Sequence, residues 1–218
     1  MKICLLGATG RTGKVVLSQA LERGWEVNAL VRDSRKVSIQ SDRLHLHEGT
    51  PANLENLAIA LTDCQAVVNT LNISRKSDFP WSGLRTPERF LSEVASNLIE
   101  LLPKKGIERI IFTTAWGVGD SLKDIPGWFR LLIQRSNIGY AYADHERQEA
   151  LFEASDLKWT AVRPVGLTNS NRSRELIVSL DNSPKPTLMI SRKRVAQFLL
   201  DCLSDASYIR EKPVVSEK

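Results

Sequence analysis

MKICLLGATGRTGKVVLSQALERG, residues 1–24, holds a short apolar run at 3–6 that flows into Gly7-Ala8-Thr9-Gly10-Arg11-Thr12-Gly13 and then into a helical pattern. A buried strand that turns through glycines into a helix is a phosphate-binding device. The glycines let the backbone turn tightly and approach a pyrophosphate, and the helix N-terminus aims N–H groups and a positive dipole at it. The spacing is G-x-x-G-x-x-G rather than the G-x-G-x-x-G of the usual dinucleotide fingerprint. Gly13, Val16, Leu17, Ala20, Leu21 and Gly24 fall on one helical face. Gly13 on that face permits close packing of helix on sheet, and Gly24 stops the helix. A second strand follows at 26–31, which completes the βαβ context that the glycine turn needs.

Composition narrows the function classes. A chain of 218 residues buries a substantial core as one domain. No apolar stretch reaches the roughly 18 residues that span a bilayer, and Lys2 is followed by only four apolar residues before the first glycine, which is no signal peptide. Cys4, Cys64 and Cys202 are far apart in apolar contexts, so they read as free buried thiols of a reducing cytoplasm, without metal-ligand spacing. The net charge of +5 is spread along the chain, with short basic clusters only at 32–36 and 192–194. That pattern points to a solvated surface with a few phosphate-binding arginines, not to a nucleic-acid partner, and no membrane partner is expected.

Strands and helices alternate along the rest of the chain. A strand at 44–47, a helix at 53–61 and a strand at 66–71 precede a loop at 72–85 that carries Asp78-Phe79-Pro80-Trp81. Thr86 reads as the cap of a long helix, with Pro87 at its first position and Leu91, Val94, Ala95, Leu98 and Leu102 as its buried stripe. A strand at 109–114, helical patterns at 128–134 and 144–154, and a strand at 159–162 ending in Arg163-Pro164 follow. Short strand-like pieces at 176–180 and 187–190 lead to a helix at 192–203 capped by Ser191. This alternation predicts an α/β fold, a doubly wound parallel sheet of the Rossmann type, as one domain over 1–218. The segment 165–190 is expected to form an irregular cap over the substrate. Ligands in such folds bind at the carboxyl ends of the strands.

The residue just beyond the second strand selects the dinucleotide. An NAD-selective site has Asp or Glu there to hold the ribose 2′-OH. Here the position is Arg32, followed by Asp33, with Ser34, Arg35 and Lys36 in the same turn and Arg11 nearby in the glycine loop. A guanidinium grips a phosphate with two hydrogen bonds, so the cluster favours NADP(H).

GATGRTG, ALVRDS, RIIFTTAWGVGDS, SDLKWTAVRPVGLTN and ISRKRVAQFLLDCL together resemble the NAD(P)-binding atypical short-chain dehydrogenases, and within them are most similar to the biliverdin-IXβ reductase/flavin reductase group. The resemblance implies that Gly7, Thr9, Gly10, Arg11 and Thr12 hold the pyrophosphate and that Arg32 and Arg35 hold the 2′-phosphate. Thr50 sits where relatives have an aspartate facing the adenine. Leu71 and Asn72 line the nicotinamide ribose, and Thr113, Thr114, Pro164 and Val165 border the nicotinamide. The chain departs from the pattern at the chemistry. The Tyr-x-x-x-Lys pair is missing: Tyr142 is followed four residues later by Glu146, and His145 takes the lysine-like place. The serine and histidine that flank the substrate pocket in the flavin reductase group are replaced by Ala115, or Thr114 with a one-residue shift, and by Val165.

Thr114, Tyr142 and His145 are the candidate catalytic side chains, with Tyr140 as an alternative to Tyr142. His45 and His47 share a strand face without a third ligand. Trp81, Trp116 and Trp128 are placed to wall a pocket for a planar ring. The resulting expectation is an NADPH-dependent oxidoreductase, a monomer or small homo-oligomer. It passes hydride to a flat conjugated acceptor (flavin, linear tetrapyrrole or quinone) in an apolar, aromatic-lined pocket. Such acceptors delocalise the arriving charge and need less help from a protein acid than a ketone does. The alternatives are a non-catalytic NADPH-binding sensor and an epimerase-like or carbonyl-reducing enzyme.

Overall fold

A computed structural model of the chain describes residues 1–172 and 174–218. The glycine turn joins β1 (Lys2–Leu6) to α1 (Arg11–Glu22), and β2 (Glu26–Val31) returns parallel to β1. The chain continues through β3 (Leu44–Glu48), α2 (Leu54–Ala60), β4 (Ala66–Asn69), α3 (Phe90–Lys104) and β5 (Arg109–Thr113). Then come α4 (Gly127–Arg135), α5 (Ile138–Glu153), β6 (Lys158–Pro164), β7 (Gly166–Thr168), β8 (Leu176–Ser179), β9 (Met189–Ser191), α6 (Arg192–Asp201) and β10 (Val214–Glu217).

The main sheet runs β3-β2-β1-β4-β5-β6-β10-β8, parallel except where β8 pairs antiparallel with β10. Its central strands are apolar on both faces because helices cover both. Ile3, Leu5, Val27, Ala29, Val68, Ile111 and Val162 share a core with α1 and α6. Cys4, Leu6, Leu30, Val67, Ile110, Phe112 and Ala161 share the other with α2, α3 and α5. The strand order reverses between β1 and β4, and the crevice at that switch point is where such sheets bind ligands.

Three features depart from the sequence reading. First, the long helix begins at Phe90, not at Thr86. The Thr86 hydroxyl is engaged instead by Ser74, whose Oγ lies 2.6 Å away and whose backbone N–H donates to it. The cap comes from another helix: the buried Asp144 carboxylate of α5 accepts from the Leu91 N–H at 2.7 Å and the Ser92 hydroxyl at 2.6 Å. Second, β10 was not foreseen, and it links β6 to β8, so 176–179 extends the sheet. Third, β7 pairs with β9 as a separate two-stranded ribbon, of which Leu167 reaches the crevice.

Gly13 sets how closely α1 approaches the sheet. A Cβ there would lie 2.0 Å from the Gly7 carbonyl oxygen, a backbone atom. Helix propensity alone would make Gly13→Ala stabilising by about 1 kcal/mol. The contact reverses the sign, and Gly13→Ala is expected to lower stability by about 2 kcal/mol or more. Urea denaturation of both proteins measures the difference; a variant as stable as wild type would contradict the close approach.

Candidate cofactor site

A cavity of about 600 Å³ opens at the carboxyl edge of the strands. It brings together Gly7, Thr9, Gly10, Arg11, Thr12, Arg32, Thr50, Leu71, Asn72, Thr113, Thr114, His145 and Pro164 of the residues expected from sequence. It does not include Arg35, Tyr142 or Val165.

At the glycine turn, Gly7 adopts φ +88°, and a Cβ on it would meet the Thr70 hydroxyl at 2.7 Å. Gly10 is the N-cap of α1 in extended conformation, and no side chain caps the helix. The first-turn N–H groups of α1 therefore face the cavity without a capping side chain, as an anion site requires. The Arg11 guanidinium meets Asp78 of the 72–86 loop in a two-bond pair at 2.9 and 3.2 Å. Arg11 holds the Asp78 carboxyl below the usual aspartate range.

At the end of β2, Arg32 is exposed and makes no hydrogen bond or ion pair among the described residues. Its neighbour Asp33 is engaged elsewhere. Asp33 accepts the Arg35 backbone N–H, capping the single turn Ser34–Lys36, and binds the Arg35 side chain at 2.9 Å. This pair turns Arg35 away from the cavity and leaves its side chain 88% exposed, a correction to its expected place beside Arg32. Thr50 lies at the same end, its N–H held by Asn56.

The opposite end is polar and buried. The Thr114 hydroxyl donates to Glu149 at 2.7 Å. Glu149 is clamped by Arg163 through Nε at 3.0 Å and Nη2 at 2.6 Å, and Arg163 also donates to Asp120. His145 Nε2 lies 3.2 Å from Asn72 Oδ1, and its Nδ1 has no partner among the described residues. Burial lowers the His145 pKa to about 4, so the imidazole is neutral at physiological pH.

Two expected residues point away. The Tyr142 ring packs edge-on against Phe129, its hydroxyl donates to the Trp116 carbonyl at 3.3 Å, and burial raises its pKa. It lines a different cavity, between residues 117–122 and the α4–α5 junction. Val165 is buried in the core because β6 pairs with β10, where its N–H donates to Val215. The aromatic wall is also corrected. Trp116 is buried in the core, Trp81 and Trp128 are exposed, and none of the three lines the cavity. Among its lining residues Phe90 is the one Phe, Tyr or Trp, and most of the rest are polar or charged.

Sequence reasoning missed the Thr114–Glu149–Arg163–Asp120 chain. The signal was Arg163 itself, a cation inside an apolar strand that folding buries only with a partner. The Asp78–Arg11 pair left no such signal, because it joins the first residue of α1 to a loop 67 residues further along the chain.

The chain matches the family model described as NAD(P)H-binding over residues 7–206. The chloroplastic protein At2g34460 of Arabidopsis thaliana is 28% identical over 216 residues, which cover 93% of this chain and 71% of that protein. A short-chain dehydrogenase/reductase from Veillonella parvula, solved in complex with NADP, aligns with a TM-score of 0.82 at 18% identity, covering 99% of this chain and 94% of that one. ChuY, an anaerobillin reductase from Escherichia coli O157:H7, aligns at 0.81 and 18% identity over 100% of this chain and 97% of its own. These two likenesses are of fold. The family model spans the glycine turn, every strand from β2 to β9 and α6, which lines the cavity with Arg192 and Val195, and on that ground the chain belongs to the NAD(P)H-binding family of Rossmann-fold proteins.

Proposed function

We propose that the protein is an NADPH-dependent reductase that passes hydride to a planar conjugated acceptor, a flavin, a linear tetrapyrrole or a quinone. The observation that carries the cofactor preference is the pairing state at the end of β2. Arg32 has an unpaired guanidinium at the cavity, while Asp33, the acid that could have received a 2′-OH, is consumed by its own turn. An unpaired cation there suits a 2′-phosphate. The uncapped start of α1 and the bare Gly10 suit a pyrophosphate.

A bound nicotinamide supplies the hydride. The chain's own groups at that end hold protons rather than deliver them. The Thr114 proton is committed to Glu149, leaving the hydroxyl oxygen as an acceptor toward the cavity. His145 is uncharged and donates from Nε2 to Asn72. Tyr142 is out of reach. This arrangement supports an acceptor that spreads the arriving charge over its own rings and takes its proton from solvent. The shared fold of ChuY, an anaerobillin reductase, is consistent with such an acceptor.

Arg32→Ala is expected to weaken NADPH binding by ten- to a hundredfold, about 1.5–3 kcal/mol, and to leave NADH binding nearly unchanged. Titrating both cofactors into both proteins checks it, and a variant that retains a preference for NADPH would overturn the assignment. In steady-state turnover of NADPH with flavin mononucleotide, Thr114→Val and His145→Gln are expected to lose well under the 10²–10⁴-fold typical of a removed general acid. A loss beyond roughly a thousandfold in either, with cofactor affinity intact, would identify a dedicated donor. No turnover with flavins, tetrapyrroles or quinones would favour an NADPH-binding sensor.

His145 also predicts a pH dependence. Its folded pKa of about 4 lies below the unfolded value of 6.5, so between these values the unfolded chain binds the extra proton. The stability present above pH 6.5 is therefore lost as pH falls toward 4, by about 3 kcal/mol for a shift of this size. Denaturant unfolding at neutral pH and near pH 4.5 should show a smaller acid loss in His145→Gln than in wild type. Equal losses would place the imidazole in a solvated environment.

A further inference from the structure

We propose that the face formed by the 74–86 loop and α4 docks on an anionic lipid surface, with the mouth of the cavity beside it. Phe79 and Trp81 on the loop are 62% and 52% exposed, and Trp128 and Leu131 on α4 are 66% and 50% exposed. These are large apolar side chains that a folded protein ordinarily covers. They are also contiguous. Trp128, Leu131 and Arg135 fall at i, i+3 and i+7 on one face of α4. At the end of that face the Trp81 indole N–H donates to the Arg135 carbonyl at 2.8 Å. Asn137 ties the two segments further, donating to the carbonyls of Trp81 and Ser82. The Phe79 ring lies beside Trp81, tilted by 48° with ring centroids 5.3 Å apart.

The charge on these segments selects the partner. Arg75, Asp78 and Arg85 line the cavity, and outside that lining the two segments carry Lys76, Arg130 and Arg135 with no acid, a local charge of +3. Asp78 is itself spent on Arg11, and α4 contains no acid. A helix with Trp and Leu interleaved with Arg lies in a membrane interface, its rings at headgroup level and its cations toward anionic lipid. A second copy of the chain would set +3 against +3 across a twofold axis, which disfavours a dimer through this face. No helix among the described residues is long and apolar enough to cross a membrane, so this is a surface that lies on a bilayer. Such docking departs from the expectation that no membrane is a partner.

The same loop borders the cavity: Ser74, Arg75, Ser77, Asp78 and Arg85 line it from within, while Phe79 and Trp81 face out. Docking would thus bring the mouth to the lipid, whatever acceptor it serves.

The test is flotation of the purified full chain with vesicles of phosphatidylcholine alone, or with phosphatidylglycerol added. The chain should float with the anionic vesicles at low salt, not with the neutral ones, and high salt should release it. Trp128→Ser/Leu131→Ser should weaken the partition at least roughly tenfold. Arg130→Gln/Arg135→Gln should weaken it by roughly twenty- to thirtyfold, about fivefold per charge. None of these four side chains lines the cavity, so both variants should keep the wild-type melting temperature and NADPH affinity. Absence of flotation with anionic vesicles would overturn the proposal. So would flotation that Trp128→Ser/Leu131→Ser leaves unchanged and soluble polyglutamate abolishes, which marks a charge-only site for an acidic protein. A stable dimer by light scattering that Trp128→Ser/Leu131→Ser dissociates would assign the face to a second copy instead.

Discussion

The Gly7 carbonyl oxygen occupies the place a side chain would take at residue 13, and the cavity inherits its geometry from that contact. With no Cβ between them, the first turn of α1 sits directly on the end of β1. Thr70, leaving β4, closes the same spot by donating its hydroxyl to the Leu6 carbonyl at 3.0 Å. Three backbone segments are thereby locked around one point. The helix start, and the N–H groups that it leaves uncapped, cannot drift from the switch point of the sheet. α1 in turn fixes α6, through Gln19 to the Lys193 carbonyl and Arg23 to Asp201. The beginning of α6, with Arg192 and Val195, then forms another part of the same cavity wall.

The other end of the cavity depends on a helix whose inward face is polar. α5 buries Asp144, His145, Gln148 and Glu149 along one side. Buried carboxylates are costly unless they are paired and fully hydrogen-bonded. Asp144 meets this by capping α3 and accepting from Arg147 at 3.3 Å, and Glu149 by its clamp on Arg163. The acids are thus satisfied by structure, and their satisfaction fixes the direction of the Thr114 proton. The chain places this hydrogen-bond network at one end of the cavity, and its sequence lacks the Tyr-x-x-x-Lys pair. Both observations support the proposed acceptor, one that needs no protein acid.

The legible parts of the fold were those with a local cause. The glycine turn, the βαβ unit, the Ser191 cap and the parallel sheet follow from spacing within a few residues, and the structure has them. Arg32 was legible because it stands at a strand end in a known topology. The missed features are long-range. Ser74, twelve residues back in the chain, takes the Thr86 hydroxyl, so a good capping residue does not cap. The start of α5 at Ile138 was obscured because its buried face is built from acids, a histidine and a glutamine rather than an apolar stripe. β10 is only four residues long, directly after Pro213, and is a strand because β6 and β8 flank it. The tryptophans were placed near the site by their position in sequence, but exposure is decided by side-chain direction, which loop sequence does not encode.

The 72–86 loop joins these observations. Its inner side presents Asp78 to Arg11, in the doubly hydrogen-bonded geometry that a guanidinium also offers a phosphate. Both partners are largely exposed, so this tie is weak and screened by salt. A pyrophosphate seated on the start of α1 would compete for the same cation while gaining the helix N–H groups, which Asp78 does not use. The outer side of the loop is fastened to α4 through Trp81 and Asn137. The exposed aromatic side chains and the pairing partner of Arg11 are thus two sides of one short segment.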